Sequence, residues 1–438
     1  MGELIDKSRK KGYNNGRIQK KNGREAKRMT GQRSGKLRSV GIICECNPPH
    51  EGHFYLMKQA RAAGAEAIVC VMSGCFTQRG EAAVLDPRTR AAILLDGGAD
   101  AVFELPFPHS SSSAEFFAAA GVSMLERLGV EELWFGSECG DLSLLWKQAE
   151  LAESEAFLLA YRDACRGGME GTAEAYFRVL SQMGGANGLL PNDTLGIAYL
   201  KAIRRQGALI RPHTVRRIGS GFSDDTLRAG EVPSARALRR LLAERGVEAW
   251  KPYLSQNGYE LVSARAEEGV APAELARAET AILSHFRLAR GEDLEAVPEL
   301  GGGLGRRIAE AALASASLEE LVQRATTKKY PEARIRRGIL FSMLGITEED
   351  LRTPPSYAVL LGANRAGCGF LKTVKKSARI PIVTCRGDLP RAEREGRQLA
   401  LCHRAWALYT LCLPSATSAD RFLRASSLIL EKDGGRTV

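Results

Sequence analysis

Two histidines three residues apart, His50 and His53, carry the strongest chemical signal in this chain of 438 residues. A three-residue spacing puts both imidazoles on one side of a first helical turn. Gly52 lies between them without a side chain, so a flat or bulky ligand can approach the backbone closely. A helix start offers unpaired N–H groups and partial positive charge to an anion, and two imidazoles add donors. The chemistry favoured is phosphate binding. An isolated H-x-x-H is equally consistent with two surface histidines on a helix. Zinc is a poorer reading, because no Cys or His elsewhere has the spacing to complete a site, and no protein-held metal is expected.

The flanking sequence supplies the elements that would position the pair. Residues 40–46 (VGIICEC) are small or β-branched and suit a strand buried on both faces of a parallel sheet. Asn47-Pro48-Pro49 ends that strand, and a helical pattern then runs to about residue 63. Further strands are expected at 66–72, 101–105, 132–136 and 209–215, alternating with helical stretches. This pattern predicts an α/β fold with a doubly wound parallel sheet, ligand sitting over the carboxyl ends of the strands. The turn at 73–81 holds Arg79, suited to a carboxylate or phosphate, or to a plain salt bridge with Glu81 or Asp86. Asn192 or Asp193 reads as a helix cap that could also meet a ligand hydroxyl or base edge.

Ser234 reads as the cap of a later helix flanked by Arg217 and Arg236, a second phosphate-binding helix start that could hold a leaving pyrophosphate. The alternative is a solvated basic helix end. From residue 241 the pattern becomes mainly helical, with short strands at 359–361 and 380–384. Basic clusters at Lys328-Lys329 and Arg334-Arg336-Arg337 lie near aromatics and read as a polyanion-binding face, or as solvated charge. Three regions are therefore expected: a disordered basic tail over 1–38, a catalytic domain over 39–240 and a mainly helical domain over 241–438.

Composition narrows the classes. Hydrophobic content of 44% and charged content of 26% are those of an ordinary soluble protein. No apolar run approaches the ~20 residues of a membrane span, and the basic N-terminus lacks a signal peptide's apolar core, so a cytoplasmic location is expected. Ten irregularly spaced cysteines do not read as a disulfide framework. Of 62 basic and 51 acidic residues, thirteen and three fall within 1–38, leaving forty-nine against forty-eight in the rest. The net charge of +11 is thus a property of the tail.

Strand, Pro-bounded loop, His-x-Gly-His and helix in that order resemble the H-x-G-H signature of the nucleotidyltransferase superfamily. More specifically, GIICECNPPHEGH, VMSGCFTQRGE, ELPF, FGSE, PNDTLG, RRIGSGF, PSARALR and TTKKYPEARIRRGILFSMLGI together resemble the tRNA(Met) cytidine acetate ligase family, over residue 40 to the C-terminal region. The resemblance implies that ATP, with Mg2+, activates acetate as acetyl-adenylate with release of pyrophosphate. Acetyl would then pass to N4 of the wobble cytidine, anticodon position 34, of elongator tRNA(Met). It implies catalytic roles for His50 and His53. It also implies an ATP-binding loop of Ile43, Cys44, Glu45, Cys46, Asn47, Pro48, Pro49, His50, Glu51, Gly52, His53, Phe54, Tyr55 and Leu56, with further contacts from Gly136, Asn192 and Arg217. The chain departs from the family pattern at Pro49 and Glu51, and Glu51 is expected to point away from phosphate or to pair with a base. The residues leave open two other readings: an adenylyltransferase for a small phosphorylated metabolite, and a non-catalytic RNA-binding protein on the same scaffold.

Overall fold

Strand β1 (Ser39–Cys44) is buried along its whole length and pairs in parallel with β2 (Ala67–Ser73), from Ser39 opposite Ala67 to Cys44 opposite Met72. Alternate side chains feed two cores, as the pleat requires. Val40, Ile42 and Cys44 pack with residues of α1 (Glu51–Ala62) and α2 (Pro87–Asp96). Gly41 and Ile43 face α3 (Ala114–Leu128), which lies so close that a Cβ on Gly41 would come within 2.6 Å of Leu125. Glycine at 41 is what lets that helix seat.

Three more parallel strands follow, β3 (Ala101–Leu105), β4 (Glu132–Ser137) and β5 (Arg211–Arg216), in the order β5-β4-β1-β2-β3. The chain winds outward from β1 in both directions, so the crevice between the carboxyl ends of β1 and β4 is the topological switch point. Edge strand β5 is polar and partly exposed, and Pro212 is tolerated there because an edge has no neighbour needing its N–H. Between β4 and β5 come α4 (Leu142–Ala152), α5 (Glu155–Arg166), α6 (Thr172–Gln182) and α7 (Pro191–Gln206), with α8 (Ala235–Arg245) later in the chain.

The sheet is mostly rather than wholly parallel. Strand β6 (Ala358–Asn364), from the mainly helical part of the chain, runs antiparallel beside β3, and β7 (Ile382–Val383) and β8 (Leu428–Leu430) pair with β6. The helices α9 (Glu279–Leu288), α10 (Leu304–Leu313), α11 (Leu318–Ala325), α12 (Glu332–Leu344) and α13 (Arg397–Thr410) share one apolar core. Phe76 after β2 and Phe107 after β3 enter that core, with ring centroids 6.1 Å from each other and 6.1 and 6.0 Å from Tyr409 and Phe341. Loops at the sheet's carboxyl end are thereby held by the helical region.

This computed structural model describes residues 37–166, 172–186, 188–218, 233–390, 396–415, 417–420 and 428–430. The tail over 1–36 and the Gly219-Ser220-Gly221 part of RRIGSGF lie outside the described residues. Among the described residues, no helix is long and apolar enough to cross a membrane.

Candidate active site

The turn from β1 into α1 is fixed by two reciprocal hydrogen bonds. Gly52 N–H donates to His50 Nδ1 at 3.0 Å, and His50 N–H donates to His53 Nδ1 at 3.2 Å. Two of the orphan donors of the helix start are satisfied by the imidazoles themselves. A ring nitrogen that accepts carries no proton, so each neutral imidazole holds its proton on Nε2. The ring centroids are 4.1 Å apart. Burial pushes the His50 imidazolium well below the ordinary histidine range, helped by His53 and Arg217; burial also lowers His53. The result is a pair of neutral Nε2–H donors. A Cβ at position 52 would meet the His50 ring within 2.8 Å, which explains the glycine between them.

Two side chains from elsewhere pin the loop, and two of its own side chains anchor it to neighbouring backbone. Arg90 of α2, completely buried, donates to Glu45 O at 3.0 Å, to Leu85 O at 2.9 Å and to Gly74 O. Arg239 of α8 donates to Asn47 O at 2.8 Å and pairs with Glu81 at 3.3 Å. Asn47 Oδ1 accepts from Val84 N–H at 2.9 Å. The carboxylate of Glu45 accepts from Gln78 N–H at 3.2 Å.

The facing wall comes from β4, β5 and α7. Arg217, which follows β5, donates to Asn192 Oδ1 at 3.2 Å, and Asn192 Nδ2 donates to Glu138 at 2.6 Å. Glu138 also accepts from Asp193 N–H at 2.9 Å. Gly136 leaves room for this arm, since a Cβ there would sit 3.1 Å from Arg217 Cγ. Helix α7 starts at Pro191; Asp193, three positions into it, binds Leu190 N–H and Cys139 N–H instead of serving as the N-cap. Ser234 does cap α8, its Oγ accepting from Ala237 N–H at 3.1 Å.

These parts enclose a cavity of about 540 Å3 at the switch point. Of the expected ATP-binding set, Ile43, Cys44, Glu45, Cys46, Asn47, His50, Gly52, His53, Tyr55, Leu56, Gly136, Asn192 and Arg217 line it, as do Ser234 and Arg236. Pro48, Pro49, Glu51 and Phe54 do not. Glu51 is exposed, and with Phe54 it lines a neighbouring cavity of about 570 Å3 that shares His50. Arg79, which the sequence offers as a carboxylate or phosphate ligand, lines the main cavity, as do Gln78 and Arg239, which the sequence did not single out. Arg239 had a usable signal, an arginine one helical turn beyond the Ser234 cap. Among the described lining residues the cavity is cationic: Arg79, Arg216, Arg217, Arg236 and Arg239 face one carboxylate, Glu45. Among the described residues, no group of three or more His, Cys, Asp or Glu side chains is placed to hold a metal ion.

The arginines of α12 do not form the outward basic face that their clustering suggests. Arg334 donates to Glu299 O at 2.8 Å and Gly301 O at 3.0 Å. Arg336, 12% exposed, pairs with Glu319 at 2.6 Å and Glu332 at 2.7 Å. Arg337, 13% exposed, pairs with Glu299 at 3.0 Å and donates to Gln78 O at 3.1 Å. Their cationic groups are already neutralised inside the protein. Lys328 and Lys329 are exposed, with Lys329 reaching Gly302 O at 3.3 Å.

A helix-start histidine pair at the switch point of a doubly wound sheet, facing arginines across a cavity, defines a nucleotidyltransferase. Consistent with this, a family model described as HIGH Nucleotidyl Transferase matches residues 37–422. The tRNA(Met) cytidine acetate ligase of Syntrophotalea carbinolica is 35% identical over 416 residues, covering 88% of this chain and 96% of that protein. That of Fervidobacterium nodosum is 32% identical, covering 80% and 84%. The Thermotoga maritima TmcAL crystal structures superpose with TM-scores of 0.84 without ligand and 0.82 with alpha-thio ATP bound, at 28% and 27% identity, each covering 90% of this chain and all of the other. The chain belongs to the tRNA(Met) cytidine acetate ligase family.

Proposed function

We propose that this enzyme activates acetate with ATP as acetyl-adenylate, releasing pyrophosphate, and then acetylates N4 of the wobble cytidine of elongator tRNA(Met). The observation that carries this reading is the pair of Nε2–H donors at a helix start, opposed by Arg217 across the cavity. The ATP analogue held by the Thermotoga maritima relative supports ATP as the nucleotide.

Acetate attacks the α-phosphorus, and negative charge develops on the equatorial oxygens and the leaving pyrophosphate. His50, His53 and the remaining N–H groups of the α1 start are preorganised donors for that charge and need no proton transfer of their own. Arg217, Arg236, Arg239 and the Ser234-capped start of α8 form a cationic wall for pyrophosphate. A Mg2+ ion would screen the triphosphate. The donor set does not fit a protein cage for it, because Glu45 is the single carboxylate among the described lining residues, so the ion enters with its nucleotide.

The test is acetate-dependent ATP–pyrophosphate exchange, followed by mass spectrometry of the tRNA. Wild-type protein is expected to exchange and to add one acetyl group to tRNA(Met). Loss of one donor in His53→Ala should lower exchange by roughly 10²–10³-fold. Undiminished exchange in that variant would remove the histidines from the chemistry.

A further inference from the structure

The acyl-transfer half of the reaction, if acetyl-adenylate is its intermediate, has a proton to dispose of. The N4 amine attacks the acyl carbon, and a C–N bond forms as the bond from that carbon to the adenylate oxygen breaks. AMP departs with the electron pair, and the nitrogen must lose one proton to become a neutral amide. Something in the cavity has to accept it.

The structure removes most of the acceptors. His50 and His53 spend their Nδ1 lone pairs on the N–H groups of Gly52 and His50, so their cavity-facing nitrogens are already protonated. They can donate but cannot act as bases without dismantling the helix cap. The arginines are cations. Cys44 is held below the ordinary thiol range by hydrogen bonds from Cys46 and Cys70, on which its sulfur lone pairs are spent, and burial keeps the Cys46 thiol and the Tyr199 hydroxyl protonated. One carboxylate remains among the described lining residues.

We infer that Glu45 is the general base that takes the N4 proton during acyl transfer and passes it to solvent. Its side chain accepts one hydrogen bond, from Gln78 N–H to Oε2, which orients the carboxylate. It is partly accessible, and it follows β1 directly, five residues before His50, on the loop that Arg90 and Arg239 immobilise. The charged and titratable groups around it are Arg239 from α8, Arg79 and Glu81 from the loop after β2, and Tyr199 from α7. Burial raises the Glu45 carboxyl above the usual carboxylate range, Glu81 adds to this, and the two arginines oppose it. A carboxylate whose pKa is raised abstracts a proton more effectively than an exposed glutamate.

The inference rests on the acetyl-adenylate reading, so the experiment separates the two. Acetyl-adenylate made beforehand is mixed with enzyme and tRNA(Met), and single-turnover acetylation is followed between pH 5.5 and 8.5, with ATP–pyrophosphate exchange measured in parallel. In wild type the transfer rate should fall on the acid side as Glu45 protonates. Glu45→Gln should lower transfer by about 10²-fold or more, exceed its own loss of exchange by at least tenfold, and abolish the acid limb. Glu45→Asp should restore the limb at a reduced rate. Equal losses of transfer and exchange in Glu45→Gln, or an unchanged pH profile, would overturn the assignment; the latter would mean that the departing phosphate takes the proton. Wild-type enzyme that neither exchanges with acetate nor turns over acetyl-adenylate overturns the functional reading itself.

Discussion

His50 is both a structural cap and a ligand donor, and one hydrogen bond links the two roles. Because Nδ1 accepts from Gly52 N–H, Nε2 must donate, and the same logic through His50 N–H fixes His53. The depressed pKa of each ring sets the sign of the pH effect: above the ordinary histidine value nothing titrates, and only acidification through the lowered folded values protonates Nδ1 and breaks the cap. Nitrogen-15 NMR of the ligand-free protein should therefore show both rings as neutral Nε2–H tautomers at neutral and alkaline pH. An imidazolium at pH 7 in either ring would refute this. Spacing alone identified the pair and its helix start, because an i, i+3 relation is local. Arg90 and Glu138 were not legible as site residues, since what each does depends on partners tens of residues away that only the fold brings near.

At the scale of elements, the sheet could be read from sequence because its buried parallel strands are continuous apolar runs. The antiparallel placement of β6 could not, since a short apolar run carries no record of its neighbour. The basic cluster of α12 shows the same limit. Its arginines are visible in the sequence, but Glu299 and Glu319, which neutralise them, come from other segments. What α12 does instead is brace the loop after β2. Gly80 sits at φ 71°, and a Cβ there would lie 2.5 Å from the backbone carbon of Arg336 and the backbone nitrogen of Arg337. Gly80→Ala should thus cost roughly 1–3 kcal/mol, read as a lower denaturant midpoint. It should also impair exchange, because Gln78 and Arg79 line the cavity. A variant with unchanged stability would show that α12 yields freely, and the brace would have no mechanical content.

At the scale of the whole molecule, charge is divided by region. Residues 39–438 carry forty-nine basic and forty-eight acidic residues, and many of the arginines are spent internally or turned into the nucleotide cavity. A near-neutral body attracts RNA weakly over distance, so on the proposed function the net +10 of residues 1–38 would be the main sequence-independent source of attraction, the alternative being an extension without function. Phosphate contacts of that kind add affinity without adding discrimination. Deleting residues 1–36 should therefore weaken binding of tRNA(Met) and of unrelated RNA by similar factors. The slope of log affinity against log salt should become shallower by about 0.7–0.9 for each phosphate the tail neutralises. Acetate-dependent exchange, which involves no RNA, should be unchanged. A deletion that weakened tRNA(Met) selectively would instead make the tail a reader of that tRNA, and discrimination would no longer rest with the folded body alone.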